Sequence, residues 1–233
     1  MTESEYPMRI NKYLAHQKYC TRRAADELIT KRKVLINGRV AVLGDKVQEG
    51  DEVKVNFRPK KYKYYAYYKP RGIITHSAQE GEEEIADISP VEGVFPVGRL
   101  DKDSYGLIIL TDDGRLTDPM LNPAFEHEKE YKVTTKDKLP GYFQKKMEEG
   151  VDIGEGVTTK PCKVEIVSPK KFKIIITEGK KHQIRRMCGA FGQSAVELER
   201  VRIMNITLGN LRPGSHRPIE GDELKIFLKD LGL

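Results

Sequence analysis

The sequence predicts an α+β protein in two parts: a small N-terminal domain of two helices and a small sheet, joined to a larger domain around a mixed, largely antiparallel sheet. Three observations carry that reading. Two helical stripes and a hairpin turn crowd into residues 7–57, and a polar, basic break follows at 58–63. From residue 64 to 233, strands outnumber helices and do not alternate with them one for one.

In chain order, Ile10, Tyr13 and Leu14 fall at i, i+3 and i+4, an apolar stripe that predicts a helix starting near Met8. Thr21 stands as N-cap before a second stripe, Ala24, Ala25, Leu28 and Ile29. Asn37-Gly38 between apolar runs is a two-residue hairpin signal, and Glu52 to Val55 alternates as a strand. Arg58 to Lys63 reads as linker. Strand runs follow at Tyr64–Tyr68, Leu107–Thr111, Tyr131–Thr135, Lys163–Val167, Phe172–Thr177 and Ile203–Leu208. Helices are expected over Leu139–Glu149, Gln183–Phe191 and Asp222–Leu231.

The chain has 233 residues, 38% hydrophobic and 33% charged, enough to bury a core without disulfides or structural metal. Its cysteines, Cys20, Cys162 and Cys188, have neither framework nor zinc spacing, and the five His are dispersed. No apolar run approaches the roughly 20 residues a bilayer needs, and the N-terminus is acidic and polar, unlike a signal peptide. The expectation is a protein of a reducing, cytoplasmic compartment with no membrane, no metal and no obligate protein partner. The net charge of +6 hides an asymmetry: residues 1–63 carry +7, residues 169–217 carry +8, and the remainder carries −9. Two basic blocks around an acidic middle favour a polyanionic partner, since clustered Lys and Arg neutralise phosphates and release counterions.

The segment that carries chemistry is Gly98-Arg-Leu-Asp-Lys-Asp-Ser-Tyr-Gly-Leu-Ile-Ile-Leu-Thr-Asp-Asp-Gly114. A Gly-bounded loop presents Arg99 and Asp101 and then enters a buried apolar strand, so a cation and a carboxylate can address one ligand. Asp103 either pairs with Asp101 or caps the following turn with Ser104. In Gln183-Ile-Arg-Arg-Met-Cys188, helical spacing puts Ile184, Met187 and Cys188 on one face, with Arg185 and Arg186 pointing elsewhere, one inward and one toward phosphate. Arg200 and Arg202 share a strand face, which is either an RNA-facing rim or an exposed sheet face.

That segment closely resembles the signature of RNA pseudouridine synthases of the RsuA/RluB/RluF type. Lys69-Pro-Arg-Gly-Ile-Ile-Thr75 is similar to the family's first motif, Glu128-Lys-Glu-Tyr131 to its short tyrosine element, and Glu178 to Met187 to its third motif, all in the family's order. The N-terminal elements Arg9 to Leu14, Thr21 to Asp26, Val34 to Gly38 and Gly50 to Val53 resemble the alpha-L RNA-binding domain, named for a small-subunit ribosomal protein. His127 to Tyr131 and Leu198 to Asn205 look closest to the RluF branch, which acts on large-subunit ribosomal RNA. Ser104 stands where many members carry Thr, and the chain ends at Leu233 without the long basic tail of some RluF-type proteins.

The resemblance implies a role for each residue. Asp101 would be the nucleophile, Arg185 would pair with it and keep it ionised, and Tyr131 would stack on the base and accept its proton. Arg99 would hold the flipped nucleotide or its vacated place, and Arg22, Arg23, Lys31, Lys181 and Arg186 would contact RNA. His182 either packs the pocket or moves a proton. Pseudouridylation breaks the C1′–N1 bond and remakes the link through C5 without redox change, so it calls for a carboxylate, a base and an extruded nucleotide, and for no cofactor. The implied substrate is ribosomal RNA or a ribosome-assembly intermediate. The alternatives are a synthase for transfer RNA or small-subunit RNA, and a non-catalytic RNA-binding or assembly factor. A pure binder needs none of Asp101, Tyr131 and Arg185.

Overall fold

A computed structural model describes residues 6–56 and 61–233. Of the linker expected over 58–63, residues 58–60 therefore lie outside the described residues. The chain divides into two compact units, one of residues up to Tyr62 and one built from Lys63–Asp112 and Leu116–Gly232.

In the smaller unit, Met8–Arg9 (β1) does not start a helix. It pairs with Lys46–Val47 (β4), and only then does α1 (Ile10–His16) begin. The ladder takes the backbone groups that a helix from Met8 would need. Thr21 caps α2 (Arg22–Thr30), its Oγ1 accepting from the Ala24 N–H at 3.2 Å. β2 (Val34–Ile36) turns through Asn37 and Gly38, with φ of 49° and 79°, into β3 (Arg39–Val40), the two positive φ values of a type I′ hairpin. β5 (Val53–Val55) pairs along the other side of β2. Ile10, Leu14, Ala25, Ile29, Val34 and Val47 close over one core.

The larger unit carries β6 (Tyr64–Lys69), α3 (Ile85–Ile88), β7 (Phe95–Val97), β8 (Tyr105–Thr111), α4 (Thr117–Leu121) and β9 (Lys129–Thr135). There follow α5 (Phe143–Glu148), β10 (Lys163–Ser168), β11 (Lys171–Ile176), α6 (Gln183–Gly189), β12 (Ala195–Ile203), β13 (Ile206–Thr207), β14 (His216–Pro218) and α7 (Gly221–Asp230). The sheet order is β10-β11-β9-β12-β8-β6-β14, antiparallel except where β12 meets β8. It is thus mixed and largely antiparallel. Phe143, Met147, Ile184, Met187 and Cys188 from α5 and α6 pack on Val133, Phe172, Ile174 and Leu198 of the sheet.

Two expected elements differ. The helix expected from Leu139 starts at Phe143, because the Leu139 N–H is held by the Pro169 carbonyl. The single strand expected over Ile203–Leu208 is instead the end of β12, a turn with Met204 at φ 51°, and β13 folding back.

The parallel junction positions the site. β7 and β6 flank β8 over residues 109–111, while β12 reaches β8 only at Tyr105 and Gly106, opposite Glu199 and Arg200. Gly106 has φ 107°, and a Cβ there would overlap the Arg200 carbonyl oxygen and stand 2.8 Å from its amide nitrogen. No side chain fits against backbone at that range. Gly106→Ala should therefore destabilise the protein by about 3 kcal/mol, seen as a urea midpoint lowered by about 1 M. An unchanged midpoint would contradict this packing.

Candidate active site

The loop of residues 98–104 joins β7 to β8, and each carbonyl from Arg99 to Ser104 accepts a hydrogen bond. Arg200 Nη1 reaches Arg99 O at 3.4 Å, and the Thr75 hydroxyl donates to Leu100 O at 2.8 Å while accepting from the Leu100 N–H at 3.0 Å. The Ser104 N–H closes a turn on Asp101 O at 3.0 Å, and the Gly72 N–H reaches Lys102 O at 2.8 Å. Arg185 Nη2 reaches Asp103 O at 3.3 Å, and Lys69 Nζ holds Ser104 O at 2.8 Å. A loop fixed at successive peptides has little freedom left to lose when a ligand arrives, which is what preorganisation requires. The turn is closed by the Asp101 carbonyl, so the cap expected from the Asp103 side chain is not what holds it.

Three of these donors are side-chain cations: Lys69, Arg185 and Arg200. Lys69 is wholly buried at the end of β6 and also donates to Pro70 O at 2.9 Å. Burial pulls its ammonium down to about 8; Asp101 and Asp103 oppose the fall and Arg200 adds to it. Positive charge is thus concentrated under the loop that presents Asp101. The Asp101 carboxylate itself is part-exposed, with His182 Nδ1 at 3.6 Å from Oδ2. His182 sits at the start of α6 in a left-handed conformation, φ 51°.

The ion pair of Arg185 with Asp101 implied by the resemblance is not formed. The guanidinium is held by Ala195 O at 2.5 Å and by Asp103 O, and these carbonyls turn it toward the backbone of the loop rather than to the carboxylate. Arg186 is held by its own neighbours: it donates to Ile153 O and Gly154 O and pairs with Glu155 at 3.0 Å. Arg200 and Arg202 form no common rim. A register shift in the β9–β12 ladder sets Arg200 opposite Tyr131 and Arg202 opposite Glu130. Arg200 is 3% exposed, and Arg202 is taken by Glu128 and Glu130 at 2.9 Å each.

A cavity of about 110 Å³ opens next to the loop, lined by Arg99, Lys129, Tyr131, Glu178, Arg200 and Ile203 among others. A water needs only about 10–15 Å³ of such space, so there is room for a ring-sized group. Tyr131 is 8% exposed on β9. Burial, and then Arg200, pull the Lys129 ammonium below its ordinary value. The Glu178 carboxylate accepts from the Lys160 N–H at 2.9 Å, from Gln183 at 2.8 Å and from Lys180. Burial raises its pKa, but these donors outweigh burial and hold it below the usual carboxylate range. Arg99 and Lys181 are exposed, as are Arg22 and Arg23, which make no ion pair among the described residues. Lys31, also exposed, lies 3.6 Å from Glu27, a contact of small energetic weight.

Comparison with known proteins decides what this arrangement is. The family model for RNA pseudouridylate synthase matches residues 63–190, and that for the S4 domain matches residues 8–53. The chain belongs to the RNA pseudouridine synthase family. This synthase is 41% identical over 224 residues to the dual-specificity RNA pseudouridine synthase RluF of Escherichia coli (strain K12), covering 93% of this chain and 77% of that protein. It is 34% identical to the ribosomal large subunit pseudouridine synthase B of Bacillus subtilis (strain 168), covering 93% and 94%. A crystal structure of a pseudouridylate synthase superimposes with a TM-score of 0.69 at 28% identity, over 96% of this chain and 99% of that one. The synthase is therefore an isomerase of RNA carrying an S4 RNA-binding domain.

Sequence reasoning placed Lys69 and Thr75 in a motif without giving either a role, and it missed the buried role of Arg200. The signal for Lys69 was present: a lysine ending the run Tyr64-Tyr-Ala-Tyr-Tyr, where five aromatic or small residues otherwise predict burial.

Proposed function

We propose that this synthase converts a specific uridine of large-subunit ribosomal RNA to pseudouridine, with Asp101 as the nucleophile. What carries the reading is a carboxylate on a loop whose six consecutive carbonyls are tied down, next to a ring-sized cavity lined by Tyr131. The large-subunit assignment is supported by the name of the synthase B relative, and the basic blocks of the sequence suit an RNA partner.

The target base is first extruded from the RNA stack, with Arg99 occupying or bracing the strand at the cavity mouth. Asp101 then takes part at the sugar, by attack at C1′ or by assisting elimination to a glycal, and the C1′–N1 bond breaks with its electron pair on uracil N1. The ring turns and C5 attacks C1′, displacing the Asp101 carboxylate or, on the glycal route, with the proton taken from C2′ returned there. The proton on C5 then leaves to a base, and N1 takes up a proton. The Tyr131 phenol, next to the ring, serves as that base. Arg185 acts through the Asp103 carbonyl, placing a fixed cation beside the loop. Lys69, buried under the loop, contributes positive potential beside the carboxylate.

Incubating the protein with ribosomal and transfer RNA from a strain lacking its gene, then mapping pseudouridines by sequencing, tests this reading. The expected result is a new pseudouridine in large-subunit RNA; none in any RNA overturns it. The name "dual-specificity" of the RluF relatives favours a second RNA substrate, so transfer RNA belongs in the same assay.

Arg22 and Arg23, exposed at the start of α2, are proposed as phosphate contacts of the S4 domain. Arg22→Glu with Arg23→Glu should weaken binding uniformly across RNA sequences and reduce the slope of log K against log salt by about 2. An unchanged slope would remove this helix from the RNA interface.

A further inference from the structure

Arg200 has more donors than the protein uses. Its Nε donates to Leu107 O at 2.7 Å and its Nη1 to Arg99 O at 3.4 Å, while Nη2, shielded from solvent, has no partner among the described residues. A guanidinium N–H buried without an acceptor is costly, and a ligand entering the adjoining cavity can supply the acceptor that the protein does not. Arg200 lines the cavity that holds Tyr131. The same cavity is lined by Arg99 and Lys129, and its one carboxylate, Glu178, is already engaged by three donors. The side chains there offer N–H donors and few open acceptors.

That polarity discriminates between pyrimidines. Uracil carries a carbonyl oxygen at O4, whereas cytosine carries an amino group in the same place, a donor that would face other donors. We propose that Arg200 Nη2 donates a hydrogen bond to O4 of the flipped uracil, so that Arg200 is the residue that accepts uracil and rejects cytosine. A site built to hydrogen-bond one group rejects the analogue lacking it, because the buried donor is left unpaired. The inference rests on the function proposed above and assigns the base-reading part of that site.

The test couples one protein atom to one substrate atom. The RNA segment modified by the wild type is prepared with uridine or 4-thiouridine at the target position, sulfur being the weaker acceptor, and single-turnover rates are measured. The wild-type rate on uridine tests the proposed function; the ratio of the two rates tests Arg200. Wild type should prefer uridine by about tenfold, the size of one charged hydrogen bond partly weakened. Arg200→Met should slow the uridine reaction by about 10- to 100-fold and bring the ratio close to one. A wild-type ratio of one, or an undiminished ratio in Arg200→Met, overturns the proposal, since a merely structural arginine would slow both substrates alike. Should Arg200→Met fail to fold, Arg200→Lys decides, because a single ammonium nitrogen cannot reproduce the spread of Nε, Nη1 and Nη2 over Leu107 O, Arg99 O and the base. Its ratio should drop below about threefold, and a full ratio overturns the assignment.

Discussion

Asp101→Asn is expected to abolish tritium release from RNA labelled at uridine C5, by at least about 10⁴-fold, with RNA affinity retained. Asparagine keeps the shape of the side chain and cannot form or stabilise the bond to C1′, and loss of a nucleophile ranks with the largest single-residue effects known. The fold gives it little reason to fail. The Asp101 side chain is part-exposed, and the loop is held through backbone carbonyls rather than through this carboxylate. The melting temperature should therefore move by no more than about 2–4 °C. Equal release from variant and wild type would place the nucleophile elsewhere.

Lys69→Met should lower kcat/KM by roughly 10²-fold, the scale seen when one preorganised electrostatic group is removed. Two causes add. Ser104 O and Pro70 O lose their donor, and Asp101 loses a buried cation. The second cause also predicts a pH dependence. In the fold the ammonium is pulled down to about 8, whereas in the unfolded chain it stays protonated to about 10.4. Between those values the unfolded chain binds more protons than the folded one, so this group's contribution to stability rises with pH. Its cost is fully present below about 8 and is lost as pH climbs to 10.4. Activity runs the other way. A neutral amine still donates to both carbonyls but no longer supplies positive charge under the loop, so wild-type kcat/KM should fall on an alkaline limb centred near 8. Lys69→Met should lack that limb. If the limb survives in the variant, another group titrates there.

Much of the molecule could be read before any coordinates. Asn37-Gly38, the Thr21 cap and the β-branched runs of β8 and β11 are local signals, and local geometry answers to them. The α+β class follows because strands recur without a helix between each pair. What escaped depends on partners distant in sequence. Phe95-Pro-Val97 pairs with β8 although Pro96 argues against a strand, since only edge positions tolerate a missing N–H. Arg200 and Arg202 lose their common face because of the irregularity in the β9–β12 ladder, which no period-two count contains. The acid–cation pair implied by the family signature is not formed in the structure. Arg185 arrives beside the loop, yet its N–H groups go to Ala195 O and Asp103 O, an outcome set by the carbonyls around it.

The six tethered carbonyls have a developmental consequence. Their donors come from residues 69–75, 104, 185 and 200, so the tether is incomplete until β12 has docked against β8. Pairings of such sequence separation form late, because chain closure must precede their reward. A nascent chain truncated before Arg200 thus has its nucleophile on a slack loop. During synthesis, catalytic competence should switch on abruptly as the last central strand emerges, not grow with chain length.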